Sequence, residues 1–383
     1  MDIKIKHVVI SGGGFGGFYL ALELEKKKHF KTILIDPTDF FVYTPLIHEV
    51  SIGEIPESAV KINYKSVLKH TIVIKSKVKY IEFTNNQVIT DDDTKIKYNY
   101  LIICPGSRAA NIIKGSEDSF FFHNLNDAIK IKKTLIGGLT EKKANISIVG
   151  EGLTGIELTG QLATYFKKIK KDITLHHFLY FPKYLMNNPG FDDIIKIRMR
   201  KLNVNVHPEE RALEIDNDVV RTYKNTYQSS LIFTCTGIQP NMIDSDVKFE
   251  NGYEVNEYCQ LKNFDNVYVI GDAAKFIYQN NPAPALAQIA IKEAKYVAKD
   301  ILRRIKSAKR KKFKPKILGM LITIGKYYAI GEFLGKYRIK GAPTWFIKRF
   351  YYFLEIFKIT KDWRLLLILI KSSLFVNYYL YEK

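Results

Sequence analysis

Hydrophobic and polar positions alternate between short apolar runs and longer amphipathic stretches. His7 to Ile10 is a compact, strand-like run, followed by the glycine-rich stretch SGGGFGGF and then by YLALELEKK, which carries helical periodicity. Lys31 to Ile35 is a second run, closed by Asp36. The same succession returns at NISIVGEGLTGIELTGQLATYF and continues into Asp172–Phe178. Further apolar runs end in glycine at Leu101–Ser107 (LIICPGS), Leu231–Gly237 (LIFTCTG) and Asn266–Ala273 (NVYVIGDA). Strands that alternate with helices in this way predict an α/β fold with parallel sheets. Near the C-terminus the period changes. Phe346, Phe350, Phe353 and Phe357 recur at helical spacing, Trp345, Tyr352 and Ile356 widen the stripe, and Lys348, Glu355 and Lys358 stay off it.

The glycine spacings carry the first chemistry. Gly12, Gly14 and Gly17 fit GxGxxG between a strand and a helix. In that pattern one glycine allows the turn, one lets backbone approach a pyrophosphate, and one lets helix and strand pack closely. Asp36, 24 residues past Gly12, stands where a carboxylate accepts hydrogen bonds from ribose hydroxyls. Gly150, Gly152 and Gly155 repeat the spacing, which predicts a second dinucleotide site. Its matching acid is missing: His176 and His177 occupy the place, and Asp172 is at the wrong end of the strand. The pair reads either as surface histidines or as neighbours of the adenosine ribose or its 2′-phosphate, which leaves NADH and NADPH both open.

Charge divides the chain. It has 383 residues and a net charge of +20, but residues 303–383 hold 20 basic against 4 acidic residues, with 17 of the 50 aromatics and both tryptophans. A near-neutral body is therefore joined to a basic, aromatic end. The composition excludes disordered, collagen-like and disulfide-scaffold classes. Cys104, Cys235 and Cys259 form no metal-ligand or CxxC spacing, so no metal site is expected and a reducing, cytosol-facing compartment is. The N-terminus runs into a strand without a leader, and the uncharged run Leu365–Ile370 is too short to span a bilayer.

At its remaining motifs the chain resembles the FAD-dependent pyridine nucleotide reductases. NVYVIGDA is similar to their strand-plus-GD motif, and LIICPGS and LIFTCTG to the crossovers between their two domains. Phe41–Val50 (FVYTPLIHEV), Ala285–Ala290 and Gly325–Glu332 more narrowly resemble the type II NADH dehydrogenases, single-subunit NADH:quinone oxidoreductases. The resemblance implies two Rossmann-like, glutathione-reductase-like domains plus a C-terminal amphipathic membrane-docking region. The expected parts are FAD-binding segments 1–110 and 239–316, an inserted NAD(P)H domain 111–238 and the membrane-associating region 317–383. FAD would be held by Gly12, Gly14, Phe15, Gly16, Gly17, Asp36, Tyr43, Pro45, Gly106, Gly271, Asp272, Ala287 and Gln288. NADH or NADPH would be held by Gly150, Gly152, Leu153, Thr154, Gly155, Glu157, His177 and Gly237.

The resemblance also implies an activity: hydride passes from NADH to FAD, then two electrons to a membrane quinone, without proton pumping. Glu157 would line the nicotinamide side, although an acid in a helix's first turn is also what the helix dipole favours. Tyr43 and Pro45 read equally as loop packing. Cys104 and Cys235 read as core thiols, against a disulfide or sulfide reductase. Two departures concern the acceptor. Gly160-Gln161-Leu162 stands where the family has GEL, and Lys292 replaces a second Gln four residues after Gln288. Gln288 and Lys292 share a helix face, where Lys292 is either a quinone-side donor or a solvated lysine. Glu157, Gln288 and Lys292 are thus the candidate catalytic residues. Two other readings follow from these departures: an FAD-binding nucleotide sensor or scaffold with weak turnover, and an NAD(P)H reductase of a non-quinone acceptor.

The basic aromatic end reads as a helix lying in the interface of an anionic membrane. The expected location is peripheral, on the cytoplasmic face of the cell membrane. The same stripe could instead pack on the FAD domain or form a homodimer. Nucleic acid is not an expected partner, because no signature for it accompanies the charge.

Overall fold

The computed structural model describes residues 5–137, 143–186, 189–278, 281–315, 317–333 and 336–374. The chain forms two compact units. The first comprises residues 1–42, 61–108 and 239–317; the second comprises 43–60, 109–238 and 318–383. Residues 43–60 and the described part of the C-terminal end therefore group with residues 109–238.

The first unit is built on a five-stranded parallel sheet. Its order is Val267–Val269, Tyr100–Ile103, Lys6–Ser11, Phe30–Asp36, Ile72–Lys75. These strands read as near-continuous apolar runs because both faces are covered. Val8, Val9, Ile10, Leu101, Ile102 and Ile103 are all fully buried. The helices Phe15–Glu25 and Ala287–Ile305 pack on each other in this unit. A smaller sheet, which includes Val78–Glu82, Gln87–Thr90 and Lys95–Lys97, leads into Tyr100–Ile103.

The second unit repeats the plan. Its parallel sheet runs Phe120–Phe121, Leu231–Thr234, Lys143–Val149, Asp172–Phe178, Val204–His207. A three-stranded antiparallel meander over residues 212–228 precedes Leu231–Thr234. To this unit is added a C-terminal module: the antiparallel strands Gly319–Thr323, Ala329–Phe333 and Tyr337–Gly341, then the helices Ala342–Thr360 and Trp363–Leu374. The Tyr-rich C-terminal residues beyond 374 lie outside the described residues. Among the described residues no helix is long and apolar enough to cross a membrane.

The C-terminal helix corrects one expectation. Lys348 and Arg349 do not lie on a solvated face; they are buried, as are Trp345, Phe353 and Ile356. Phe346, Ile347, Phe350, Tyr351 and Leu354 form the exposed face, with Phe350 62% exposed. The helix keeps Lys348 and Arg349 inward and much of its apolar surface outward, while Lys358 is exposed.

Candidate functional site: two nucleotide turns and a buried ion cluster

The two glycine turns are built alike, atom for atom. In the first unit the Gly12 N–H donates to the Ile35 carbonyl at 2.9 Å, and Cys104 N–H to the Ser11 carbonyl at 2.9 Å. In the second, Gly150 donates to Phe178 at 3.0 Å and Cys235 to Val149 at 2.8 Å. Gly12 and Gly150 both adopt positive φ, 108° and 123°, and a Cβ on either would collide with the carbonyl of the matching cysteine. A Cβ on Gly17 or Gly155 would collide with the carbonyl of Gly12 or Gly150. These four positions are fixed by packing.

Gly14 and Gly152 are different. Both are exposed, both precede their helix, and a Cβ on either would meet nothing within 4 Å. The same holds for Gly106 and Gly237, after the cysteines. Each turn therefore presents an open backbone cradle at a helix N-terminus, which fits the pyrophosphate of a dinucleotide. At the first turn Phe15 packs edge-on to Phe41, and Gly16 lies against Ile270. The Asp36 carboxylate is fixed by the Gly13 N–H at 2.6 Å and by the Thr38 amide and hydroxyl at 2.9 and 2.7 Å. Asp272 accepts from the Ser107 hydroxyl at 2.7 Å, beside the Gly271 turn, whose N–H donates to buried Glu293 at 2.7 Å. These residues suit the ribose and ribitol hydroxyls of FAD. Ala287, Gln288 and Lys292 are half-buried on the helix Ala287–Ile305.

The thiols are structural. All three cysteines are free and buried, and burial pushes the Cys104 and Cys235 thiols up, the latter to about 12. A thiol kept protonated in this way is a poor nucleophile.

At the second turn Leu153 and Thr154 open the helix Leu153–Lys168. His177 is not a surface residue. It is fully buried under the turn, with Nε2 2.9 Å from the Gly150 carbonyl oxygen and Nδ1 3.0 Å from the Tyr184 hydroxyl and 3.2 Å from Thr159 Oγ1. Burial drives its pKa down to about 4, so it is neutral. His176 is half-buried and bonds His207 at 2.9 Å. The strand register also moves the expected acid position. Because Phe178 matches Ile35, the counterpart of Asp36 is Leu179, and His177 matches the core residue Leu34.

Sequence reasoning missed the second unit's densest chemistry. Glu157 accepts from the Thr323 N–H at 3.0 Å and pairs with Lys348 Nζ; His48 Nδ1 lies 3.9 Å from its other oxygen. Arg349 pairs with Glu49, and Lys326 with Glu54 at 2.8 Å; Arg349 Nη1 also lies 4.0 Å from Glu54. Apart from Glu157, which is 19% exposed, these side chains are at most 5% exposed. Three carboxylates face three cations, as buried charges require. Burial pushes Glu157 up, but Lys348 and His48 outweigh it and hold the carboxyl below its ordinary range. Burial pushes His48 down to about 4. Burial, reinforced by Glu54, pushes Glu49 up against its ion pair with Arg349.

The cluster joins residues 48–54 and the C-terminal module to the nucleotide helix. The described part of the C-terminal module therefore packs within the second unit. Nothing in the spacing of these six residues could have announced them, since they meet only in three dimensions. Tyr43 belongs to the same unit and packs edge-on to Tyr352 at 5.5 Å, with Pro45 half-buried beside it in the chain. Gln161 is buried, and its amide has no hydrogen-bond partner among the described residues.

Two open glycine cradles on two parallel sheets, the first with the Asp36 carboxylate fixed beside it, suit two dinucleotides. Residues 6–294 match the pyridine nucleotide-disulphide oxidoreductase family, and the chain belongs to it. It is 25% identical over 347 residues to ferroptosis suppressor protein 1 of Xenopus tropicalis, covering 86% of this chain and 89% of that one. It is also 25% identical over 396 residues to the type II NADH:quinone oxidoreductase of Haemophilus influenzae, covering 87% and 88%. The structure of NDH2 from Plasmodium falciparum in complex with NADH shares the fold, with a TM-score of 0.84 at 17% identity over 98% of this chain and 99% of that one.

Proposed function

We propose that this protein is an FAD-dependent NADH:quinone oxidoreductase of the type II class. The observation that carries the reading is the duplicated cradle: one chain holds two glycine turns of the same geometry. Relatives named for NADH and quinone, matched along most of their length, support the choice of substrates.

The first turn would hold FAD, with Gly14 and Gly106 open to it and Asp36 fixed for a ribose. The second would hold NADH on Gly152. Bound FAD supplies the two-electron chemistry that connects nicotinamide to quinone. The overall change is NADH + H⁺ + quinone → NAD⁺ + quinol, so one proton must come from solvent. Glu157, Lys348 and His48 lie together, with Lys348 Nζ donating to Glu157 Oε1, and Lys348 is the member that carries a proton at neutral pH. Gln288 and Lys292, on one helix face, are proposed as donors toward the acceptor. Steady-state NADH oxidation with and without a short-chain quinone tests the reading. Quinone-dependent turnover supports it, and quinone-independent turnover points to the non-quinone reductase.

The exposed apolar face of the helix Ala342–Thr360, with Trp363, Leu367 and Ile370 on the next helix, is proposed as a peripheral membrane-docking surface. Exposed Lys358, Lys361, Arg364 and Lys371 favour an anionic lipid surface. Three scattered cysteines without a pairing pattern favour the cytosol-facing side.

A further inference from the structure

If the second turn holds a nicotinamide dinucleotide, as proposed above, its choice between NADH and NADPH is made at the tip of the strand Asp172–Phe178. In the first unit that place is filled from the strand: the Asp36 carboxylate reaches back and accepts from the Gly13 N–H of the turn at 2.6 Å. In the second unit the strand offers buried Leu179 instead. A carboxylate nevertheless returns from the opposite side. Glu151 stands in the place of Gly13, and its Oε2 accepts from the Tyr180 N–H at 3.1 Å. The hydrogen bond between turn and strand tip is kept with donor and acceptor exchanged. Gly13 could not carry such a side chain, because a Cβ there would collide with the Tyr64 hydroxyl.

We infer that Glu151 is the specificity residue of the second site: it receives the adenosine ribose hydroxyls and repels a 2′-phosphate, so the enzyme selects NADH. A carboxylate accepts hydrogen bonds from the vicinal diol and meets a phosphate with like charge. The Arg211 guanidinium is stacked over the Tyr180 ring, 5.0 Å from its centroid, where it would pair with a 2′-phosphate once the carboxylate is gone.

The test uses the flavin-loaded full chain and two probes that need no turnover, ADP-ribose and 2′-phospho-ADP-ribose, bound calorimetrically. The wild type should bind ADP-ribose more tightly, by about 10-fold or more, as expected for hydrogen bonds to a charged acceptor. Glu151→Gln should erase that preference, and Glu151→Gln/Arg211→Ala should lose the affinity for the phosphorylated probe that the single variant gains. The kcat/KM ratio for NADH over NADPH should move in parallel. A wild type that prefers the phosphorylated probe, or an unchanged ratio in Glu151→Gln, overturns the assignment. If neither probe binds the wild type, the nicotinamide site itself is refuted, and the role of Glu151 falls with it.

Discussion

Replacing Lys348 by Met removes the cation that faces Glu157. The Lys348 side chain is 4% exposed and Glu157 is 19% exposed, so the carboxylate is left largely out of water. His48 cannot take over at neutral pH, because burial holds its pKa near 4. Breaking a buried pair by removing one partner costs about 3–5 kcal/mol. Glu157 keeps the Thr323 amide at 3.0 Å, which places the expected loss near the lower end, about 3 kcal/mol. Lys348→Met/Glu157→Gln removes both charges and should recover much of it, a coupling of about 2 kcal/mol. Urea unfolding followed by tryptophan fluorescence reads this directly, since Trp345 lies beside Arg349 in the same helix. The pH dependence adds a sign. In the wild type the lowered carboxyl contributes stability above its ordinary value of 4.5, lost as pH falls through the lowered one. Without Lys348 burial raises it, so the deficit is present at neutral pH and shrinks on acidification. Additive single and double variants, or a loss below about 1 kcal/mol, would refute a buried, coupled pair.

Other outcomes follow from the same geometry. Gly152→Ala should fold normally yet bind nicotinamide dinucleotide at least about 10-fold more weakly, whereas Gly155→Ala should lower the melting temperature; titration and calorimetry separate the two, and equal effects would contradict the cradle. Glu293, pushed up to about 7 chiefly by burial, contributes stability that is full below about pH 4.5 and lost as pH rises through 7. Glu293→Gln should therefore gain on the wild type by about 2–3 kcal/mol between pH 5 and 8 in denaturation curves; a constant difference would be inconsistent with this. Phe346→Glu/Phe350→Glu should abolish co-sedimentation with anionic vesicles while NADH oxidation in solution persists; retained binding, or a change in self-association alone, would indicate that the face serves something other than lipid.

Much of the fold was legible because strand, glycine turn and helix follow one another in sequence, and each spacing has a local steric cause. Gly12 and Gly150 must be glycine because of the cysteine carbonyls that face them, and Asp36 follows its strand directly. The missing ribose acid was legible only in part. Its true position depends on strand register, which makes Leu179 rather than His177 the equivalent of Asp36, and its replacement comes from the turn. The C-terminal helix misled for a physical reason. Helical periodicity gathers the aromatics into a stripe but does not show which part of it is buried, and Lys348 and Arg349 share the buried face with Trp345, Phe353 and Ile356. Here three carboxylates in distant segments make burial of the cations favourable, and none of those pairings has a sequence spacing.

The most direct test is anaerobic mixing of the flavin-loaded protein with NADH, followed by addition of a short-chain quinone, while the flavin's visible absorbance is recorded. Rapid bleaching by NADH is expected, then restoration of the oxidised spectrum with one quinol formed per NADH consumed. A flavin that stays oxidised under NADH, or stays bleached when quinone arrives, would contradict the proposed reaction.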